Sequence, residues 1–305
     1  MKQRIIYFAF VIMILTACNN NNKKGENKEK LKAIRTDSIH LKSDYSDVNG
    51  LKMYYEIYGQ GKPLVLIHGG GSTIQSSFGR IIPQLAREYN VIAVELQNHG
   101  RSGFRNVPET FEQDADDVAA LLNNIGINKA SFFGFSNGGT TALQIGIRHP
   151  KIVNKLVLAA AAYKRDGFLS GFFDGMKQAT LANMPQELKT AFLKVNPDTA
   201  KLQTMFDKDR ERMIAFKDLS DEQIRSITAS TLLINGDADV IRPEHALEMY
   251  RLIPNCQLAI IPGGHGKYIG EITTIGNGNR DTDFVVAMIK EFLDKPTEPP
   301  VSAVQ

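Results

Sequence analysis

The chain has 305 residues, of which 43% are hydrophobic, and its formal net charge is +3. This composition suffices for one large or two ordinary globular domains, and the small net charge excludes a nucleic-acid surface built on bulk positive charge. After the N-terminal segment, no run reaches the roughly 20 consecutive apolar residues that a transmembrane helix needs.

The N-terminal stretch "MKQRIIYFAFVIMILTACNN" has the layout of a secretory signal. Lys2 and Arg4 precede an apolar run over residues 5–15, and Thr16, Ala17 and Cys18 follow it. A charged start, a short apolar segment and small residues at a cleavage point are typical of such signals. The alternative is a short membrane anchor, but the run is too short to span a bilayer comfortably.

The ending "LTAC" resembles the lipobox of bacterial lipoproteins, in which the cysteine is lipidated and becomes the first mature residue. This resemblance implies a signal peptide over residues 1–17 and a lipid such as palmitate on Cys18. It also implies a chain anchored by that lipid to a membrane of the bacterial cell envelope, facing outward, in the periplasm or at the cell surface. Two or more acyl chains anchor a protein stably. Cys256, the other cysteine, then has no disulfide partner, and nothing in its context indicates reactivity.

Residues 18–43 are rich in Asn and Lys and poor in large apolar residues, which predicts a flexible tether with the folded domain starting near Asp44. The pair Asn49-Gly50 predicts a tight hairpin turn, since both residues accept positive φ. Apolar runs then predict buried strands in "PLVLI", "NVIAVEL", "KASFFGF", "VNKLVLAAA", "STLLING" and "QLAIIPG". Helical spacing predicts helices over residues 74–89, 110–125, 136–149, 243–251 and 281–294.

Strands alternate with helices, and most strands are apolar on both faces. This pattern predicts an α/β fold with a mostly parallel sheet flanked by helices. Between residues 163 and 225 the alternation gives way to helix-like sequence rich in Phe and Met, which predicts a helical cap inserted between two strands. The predicted organisation is therefore core over 44–162, cap over 163–225, core again over 226–295, and a tail over 296–305.

The segment "GFSNG" places Ser136 between a predicted strand and a predicted helix, in a G-x-S-x-G pattern. Such a turn strains the serine backbone and needs small residues two positions before and after it, because strand and helix approach closely there. The hydroxyl is then held above the sheet edge, at a helix N-terminus that favours negative charge. A plain strand-to-helix turn is the alternative interpretation.

A serine hydroxyl becomes a nucleophile when a base takes its proton and an acid orients that base. Asp239 in "GDADVIRPEHA" and His265 in "PGGHG" each follow a predicted strand, at the same sheet edge as Ser136. Asp237 is the rival acid, and motif spacing favours Asp239.

These motifs resemble the α/β-hydrolase family, in the esterase-like branch with a short helical cap, from about Asp44 to Asp294. "LIHGGG" is similar to the family's oxyanion loop, "NHGRS" to its H-G-x-S motif, "GFSNGG" to its nucleophile elbow, and the two segments above to its acid and histidine loops. The resemblance implies Ser136 as nucleophile, Asp239 as orienting acid and His265 as base. It further implies an oxyanion hole made by the N–H groups of Gly70 and Asn137.

Other polar residues receive structural interpretations. His68 is expected to brace the glycine loop, while His99, His149 and His245 are expected to be structural or surface groups. The segment 95–98 departs from the family pattern, which bears on substrate preference. No metal spacing, G-x-G-x-x-G or P-loop motif is present, so we expect no metal and no nucleotide cofactor. Most of the cap's large apolar side chains are expected to pack the cap onto the core, with a minority lining an acyl pocket: Phe168, Phe172, Phe173, Met176, Phe192, Met205, Phe206, Met213 and Phe216.

The sequence thus predicts a serine hydrolase that cleaves a small or medium carboxylic ester through an acyl-enzyme. A lactone, amide or carbon–carbon bond hydrolase, or an acyltransferase, would use the same three residues, and fold alone does not choose among them. A non-catalytic ligand-binding lipoprotein on the same scaffold is the alternative of another class. The expected partners are a small-molecule ester and, through the lipid, a membrane, with no nucleic acid.

Overall fold

A computed structural model describes residues 40–275 and 281–296 of the chain. The predicted signal peptide, Cys18, most of the predicted tether and nearly all of the tail lie outside these residues. The prediction that the tether extends to residue 43 is wrong, because the first strand already includes His40. Its first residues are exposed and polar, yet their backbone pairs with the neighbouring strand, with His40 opposite Tyr58. Backbone pairing at a sheet edge requires no apolar side chains, so composition did not reveal it.

Within the described residues, eight strands form a single sheet in the order β1-β2-β4-β3-β5-β6-β7-β8. β1 and β2 form an antiparallel hairpin, β2 runs antiparallel to β4, and the remaining neighbours are parallel. The predicted hairpin turn is confirmed, with Asn49 at φ 45° and Gly50 at φ 79°. The strands are β1 (His40–Val48), β2 (Leu51–Tyr58), β3 (Lys62–Ile67), β4 (Tyr89–Glu95), β5 (Ala130–Phe135), β6 (Val153–Ala159), β7 (Ser230–Gly236) and β8 (Cys256–Ile261).

The α-helices of the described residues lie between and after these strands. They are α1 (Ile74–Phe78), α2 (Ile82–Leu85), α3 (Phe111–Asn124), α4 (Asn137–Arg148), α5 (Phe172–Gln178), α6 (Gln186–Val195), α7 (Thr199–Ile214), α8 (Asp221–Arg225), α9 (Pro243–Leu252) and α10 (Asp281–Asp294). The single helix predicted over residues 74–89 is wrong. Gly79 ends α1 as its C-cap, and Pro83 lies in the first turn of α2, where a proline is well accommodated.

Each face of the sheet packs against its own hydrophobic cluster, because successive strand residues point to opposite faces. Leu64 and Leu66 of β3 contribute to one cluster, whereas Val65 and Ile67 contribute to the other. Residues of α1, α2 and α10 fill the first cluster, and residues of α3 and α4 fill the second. Burial on both faces explains why these strands read as continuous apolar runs.

The cap region, between the end of β6 and the start of β7, contains α5 to α8 and two short 3₁₀ turns over Arg165–Gly167 and Leu181–Asn183. Its own small hydrophobic cluster is built on Met184, Phe192, Leu202 and Met205. None of the helices in the described ranges is long and apolar enough to cross a membrane.

Candidate active site

Ser136 occupies the sharp turn between β5 and α4. Its backbone has φ 56° and ψ −121°, a conformation that non-glycine residues rarely adopt. The two flanking glycines allow this turn. A Cβ on Gly134 would lie 2.0 Å from the carbonyl oxygen of Gly138, and a Cβ on Gly138 would lie 2.1 Å from that of Ile67. Strand and helix therefore approach too closely for any side chain at either position, and the strained turn displaces the predicted helix start to Asn137.

The structure brings the predicted Ser136, His265 and Asp239 together above the carboxyl ends of the strands. His265 Nε2 lies 2.9 Å from Ser136 Oγ, and His265 Nδ1 lies 2.7 Å from Asp239 Oδ1. Asp239 is buried, and Oδ1 also accepts a hydrogen bond from the Ile241 N–H at 3.2 Å. This arrangement can transfer a proton from the serine hydroxyl to the imidazole while the carboxylate holds the ring.

Asp237, the rival acid, points elsewhere. Its Oδ1 accepts a hydrogen bond from the Gly263 N–H at 2.7 Å, which ties the loop after β7 to the loop after β8. His265 is further held by the Phe135 ring, whose centroid lies 4.8 Å from that of the imidazole. The carboxylate that contacts the histidine is therefore Asp239.

Gly70 and Asn137, whose N–H groups are the predicted oxyanion donors, lie at the same site. Both residues line one cavity together with Ser136 and His265. Asn137 is the first residue of α4, where backbone N–H groups lack helical acceptors. Among the described residues, none accepts a hydrogen bond from either N–H group. Two free donors thus lie where negative charge on a substrate oxygen would be stabilised.

The cavity next to Ser136 has a volume of about 350 Å³. Small-molecule sites typically measure roughly 300–1,000 Å³. The prediction that most of the nine cap side chains pack onto the core is confirmed, since six of them belong to or pack against the first hydrophobic cluster. The prediction that only a minority line a pocket is wrong, because six of the nine line this cavity: Phe168, Phe172, Met176, Met205, Phe206 and Met213. Some side chains of α5 and α7 therefore line the cavity and also pack against the core, and sequence periodicity cannot separate these two surroundings.

A buried charged cluster connects the cap to the core beside this cavity. Asp209 and Arg212 extend from α7, and they meet His99 on the loop after β4 and Asp114 on α3. His99 Nε2 lies 2.9 Å from Asp209 Oδ2, and Arg212 Nη1 lies 2.7 Å from Asp114 Oδ2. Glu109 lies 3.7 Å from Arg212 Nη1. The sequence predicts a structural or surface role for His99, and the structure gives it a buried one. The sequence does not reveal the partners on α7, more than a hundred residues away.

The charges in this cluster shift one another's pKa values. Burial alone would lower the pKa of His99, but the neighbouring Asp209 carboxylate raises it to about 9. Burial alone would raise the pKa of Asp209, but His99 and Arg212 hold it below its usual value. Burial raises the pKa of Asp114 to about 7, although Arg212 opposes this shift. The His99–Asp209 pair is therefore charged at neutral pH.

The segment 95–98, which is expected to bear on substrate preference, also makes hydrogen bonds to this cluster and to the loop that carries His99. Gln97 Nε2 donates to Asp114 Oδ1 at 3.2 Å, and Asn98 Nδ2 donates to Glu109 Oε1 at 2.5 Å. Glu95 accepts from the backbone N–H of Arg101 at 2.6 Å and from its guanidinium at 2.7 Å. Within the described residues, these hydrogen bonds therefore hold the loop that carries His99 in place.

The remaining singled-out residues have structural surroundings. His68 is buried, with Nδ1 2.7 Å from the Gly69 carbonyl and Nε2 accepting from the Leu96 N–H at 3.0 Å, so it braces the glycine loop as predicted. His245 stacks on the Tyr163 ring, and His149 pairs with Asp116 near the surface. Burial raises the pKa of the Cys256 thiol to about 12, which disfavours the reactive thiolate. Residues 40–275 and 281–296 contain no His, Cys, Asp and Glu group arranged to hold a metal ion.

Known proteins resemble this chain in sequence. Residues 62–188 match the family model described as the alpha/beta hydrolase fold. The chain is 30% identical over 139 residues to 2-hydroxy-6-oxo-6-(2'-aminophenyl)hexa-2,4-dienoic acid hydrolase of Metapseudomonas resinovorans, an alignment that covers 45% of this chain and 48% of that protein. It is 26% identical over 252 residues to a Haemophilus influenzae protein named as an esterase/lipase, covering 76% of this chain and 83% of that one.

The first of these relatives is matched over only about half of its own length. Among solved structures, a serine hydrolase involved in carbazole degradation superposes with a TM-score of 0.68 at 24% identity, over 83% of this chain and 98% of that one. At this identity the likeness shows the fold alone, and the fold agrees with the mostly parallel sheet described above. The chain therefore has the α/β-hydrolase fold, and its residues 62–188 match the family model of that fold.

Proposed function

We propose that the chain hydrolyses a carboxylic ester of small or medium size through an acyl-enzyme on Ser136. The observation that carries the proposal is the continuous hydrogen-bonded path from Ser136 Oγ through His265 to Asp239, with lengths of 2.9 and 2.7 Å. Supporting it are the two unpaired N–H groups of Gly70 and Asn137 and the apolar cavity beside them.

In the proposed reaction, Ser136 Oγ attacks the ester carbonyl carbon while its proton passes to His265 Nε2. Asp239 accepts the hydrogen bond from Nδ1–H and stabilises the imidazolium that forms. The negative oxygen of the tetrahedral intermediate binds to the N–H groups of Gly70 and Asn137. Removing one such donor typically costs about 2.7–4 kcal/mol of barrier. His265 then protonates the leaving alcohol.

Water completes the cycle. It attacks the acyl-enzyme carbonyl while His265 Nε2 takes one of its protons, and the intermediate collapses to release the carboxylic acid and restore the Ser136 hydroxyl. The apolar lining contributed by Phe168, Phe172 and Met176 suits an apolar acyl or alcohol group. A volume of about 350 Å³ limits its size to small or medium groups.

The test is hydrolysis of p-nitrophenyl esters, from acetate to dodecanoate, by the full-length chain in mild detergent. We expect turnover with a maximum at short or medium acyl length, and loss of turnover in Ser136→Ala. A folded chain that hydrolyses none of these esters would contradict the proposal. It would leave the non-catalytic binding function as the better interpretation.

A second candidate is hydrolysis of a carbon–carbon bond in a dienoic acid. The observation in its favour is the similarity to the Metapseudomonas resinovorans hydrolase whose name specifies such an acid. A carboxylate on the substrate would need a cation in the cavity, and Arg210 is among the lining residues. Parallel assays with a hexa-2,4-dienoic acid of this type separate the two candidates, because a preference for the acid over every ester favours the second.

We further propose that Cys18 carries lipid and anchors the chain to a membrane of the bacterial cell envelope. The support is the "LTAC" sequence after a charged and apolar start. Two acyl chains suffice for stable anchoring. Metabolic labelling with an alkyne palmitate analogue should label the full-length chain and leave Cys18→Ser unlabelled. Equal labelling of both proteins, or of neither, would contradict the proposal.

A further inference from the structure

Asp209 extends from the cap helix α7 to the loop that carries Gly70. Its Oδ2 accepts hydrogen bonds from the Gly71 N–H at 2.5 Å and from His99 Nε2 at 2.9 Å. Its Oδ1 binds the Arg212 guanidinium and lies 3.5 Å from Asn137 Nδ2. The two carboxylate oxygens of Asp209 therefore face four donors. One of these donors, the Gly71 N–H, directly follows Gly70, and another, Asn137 Nδ2, belongs to the residue that carries the second free N–H group.

The contacts around Gly70 are very tight. A Cβ on Gly70 would lie 2.4 Å from Asn137 Nδ2 and 3.1 Å from Asp209 Oδ2. The Gly70 backbone, the Asn137 side chain and the Asp209 carboxylate thus pack directly against one another. A shift of the carboxylate would move the glycine loop or release it, and a displacement of about 1 Å at a reacting centre can cost about a hundredfold in rate.

Asp209 is itself firmly held from the cap side. Arg212, one turn further along α7, binds Asp209 and also donates to Asp114 Oδ2 at 2.7 Å. The positive charges of His99 and Arg212 lie against its carboxylate, so its negative charge is balanced before any substrate oxygen becomes negative nearby. This balance allows a carboxylate to stand beside a site that must stabilise an anion.

We propose that Asp209 is a positioning residue that couples docking of the cap to assembly of the oxyanion hole. It acts through the Gly71 N–H and the Asn137 side chain, which place the N–H groups of Gly70 and Asn137. The inference rests on the proposed function, since it assigns these two N–H groups to the oxyanion. It predicts that the cap contributes to the chemical step as well as to the walls of the cavity.

Asp209→Asn tests this proposal with little change of volume. An amide has one acceptor oxygen and a donor NH₂ group, so it cannot satisfy four donors, and one hydrogen bond to Gly71, His99 or Arg212 is lost. We expect kcat for the best p-nitrophenyl ester, and the rate of Ser136 phosphonylation by a fluorophosphonate, to fall together by about tenfold to a hundredfold. We expect KM to change little.

Asn196→Ala is the matched control. Asn196 Nδ2 donates to the Gly100 carbonyl at 2.8 Å, so this variant also loses a hydrogen bond between cap and core, without touching the glycine loop. We expect its kcat and phosphonylation rate to stay near those of the natural chain. If both variants raised KM and left kcat unchanged, Asp209 would only hold the cap in place, and the proposal would be overturned.

Asp209→Glu keeps the charge and displaces the carboxylate by one methylene, so it serves if Asp209→Asn does not fold. A folded Asp209→Glu is expected to show the same joint fall in kcat and phosphonylation, and unchanged rates in it would overturn the proposal. Assays of the natural chain distinguish a failure of this proposal from a failure of the proposed function. If it neither turns over esters nor reacts at Ser136, the proposed function fails. If it does both and the Asp209 variants match it, only the coupling fails.

Discussion

His99 and Asp209 form a buried ion pair between the core and the cap, with Nε2 and Oδ2 2.9 Å apart. His99 belongs to the loop after β4, and Asp209 belongs to α7. The pair therefore joins two parts of the chain that lie far apart in sequence, and it does so beside the cavity that holds Ser136. Because the histidine titrates, this junction makes the stability of the fold depend on pH.

The first prediction concerns that dependence. The pKa of His99 is raised from 6.5 to about 9 in the folded chain, where the Asp209 carboxylate outweighs burial. A raised histidine pKa stabilises the fold fully below the unfolded pKa, and this stability is lost as pH rises through the folded pKa. We expect the free energy of unfolding to fall by roughly 3 kcal/mol between pH 6.5 and 9 from this group. Urea denaturation across this range measures the fall.

His99→Gln should flatten the curve between these pH values, since it removes the titrating group. His149→Gln is the control, because it removes a histidine whose ion pair with Asp116 lies near the surface, away from the junction of cap and core. Burial raises the pKa of Asp114 from 3.8 to about 7, so this group adds a further loss of stability as pH rises from about 4 through 7, and that loss remains in His99→Gln. An identical fall in His99→Gln and the natural chain would contradict the assignment.

The second prediction concerns the carboxylate behind His265. Asp239→Asn should lower kcat for ester hydrolysis by about 10⁴-fold with little change in KM, because the amide no longer holds the ring in the tautomer that accepts the serine proton. Asp237→Asn is the control, since its carboxylate contacts Gly263 and not His265. Steady-state kinetics on one ester measure both variants. Equal losses in the two would show that Asp239 has no special role.

The third prediction concerns the turn around Ser136. Gly138→Ala places a Cβ 2.1 Å from the Ile67 carbonyl oxygen, which is backbone and cannot move aside. We expect a loss of about 3 kcal/mol or more of stability. Gly175→Ala is the control, because no atom lies within 4 Å of its Cβ in α5. Alanine there should be neutral or stabilise by roughly 0.5–1 kcal/mol. Thermal unfolding that shows similar melting temperatures for both variants would contradict the steric argument.

The fourth prediction concerns acyl length. Phe206 lines both the cavity beside Ser136 and a neighbouring pocket on the cap. Phe206→Ala should join the two spaces and move the preferred p-nitrophenyl ester to longer acyl chains. Phe173→Ala is the matched control, because Phe173 does not line the cavity. An unchanged length profile in Phe206→Ala would place the acyl group elsewhere.

Sequence patterns predicted the parts of the molecule that depend on local rules. Buried strands showed as apolar runs, and Ser136, Asp239 and His265 each followed such a run, so their shared sheet edge could be anticipated. The pairing of His40, the break at Gly79 and the contact of Asp209 with His99 and Gly71 could not. The first depends on backbone bonds of an edge strand, the second on a short turn within a helical pattern, and the third on how the cap docks.

The number of cap side chains that line the cavity could not be predicted from the sequence either. Phe168, Phe206 and Met213 carry the signature of buried apolar residues, and a cavity wall and a packed core give the same signature. Which of the two applies depends on the space left between cap and core, and this space is a property of the assembled fold.

The most direct measurement is to locate the covalent intermediate. The full-length chain, treated with a fluorophosphonate, is digested and mapped by mass spectrometry, while rapid mixing with a p-nitrophenyl ester follows the burst of p-nitrophenolate. If Ser136 is the nucleophile, the phosphonyl group maps to Ser136, the burst matches the concentration of active sites, and both are absent in Ser136→Ala. A folded chain that forms no adduct, or a Ser136→Ala variant that keeps its burst, would contradict the proposed chemistry.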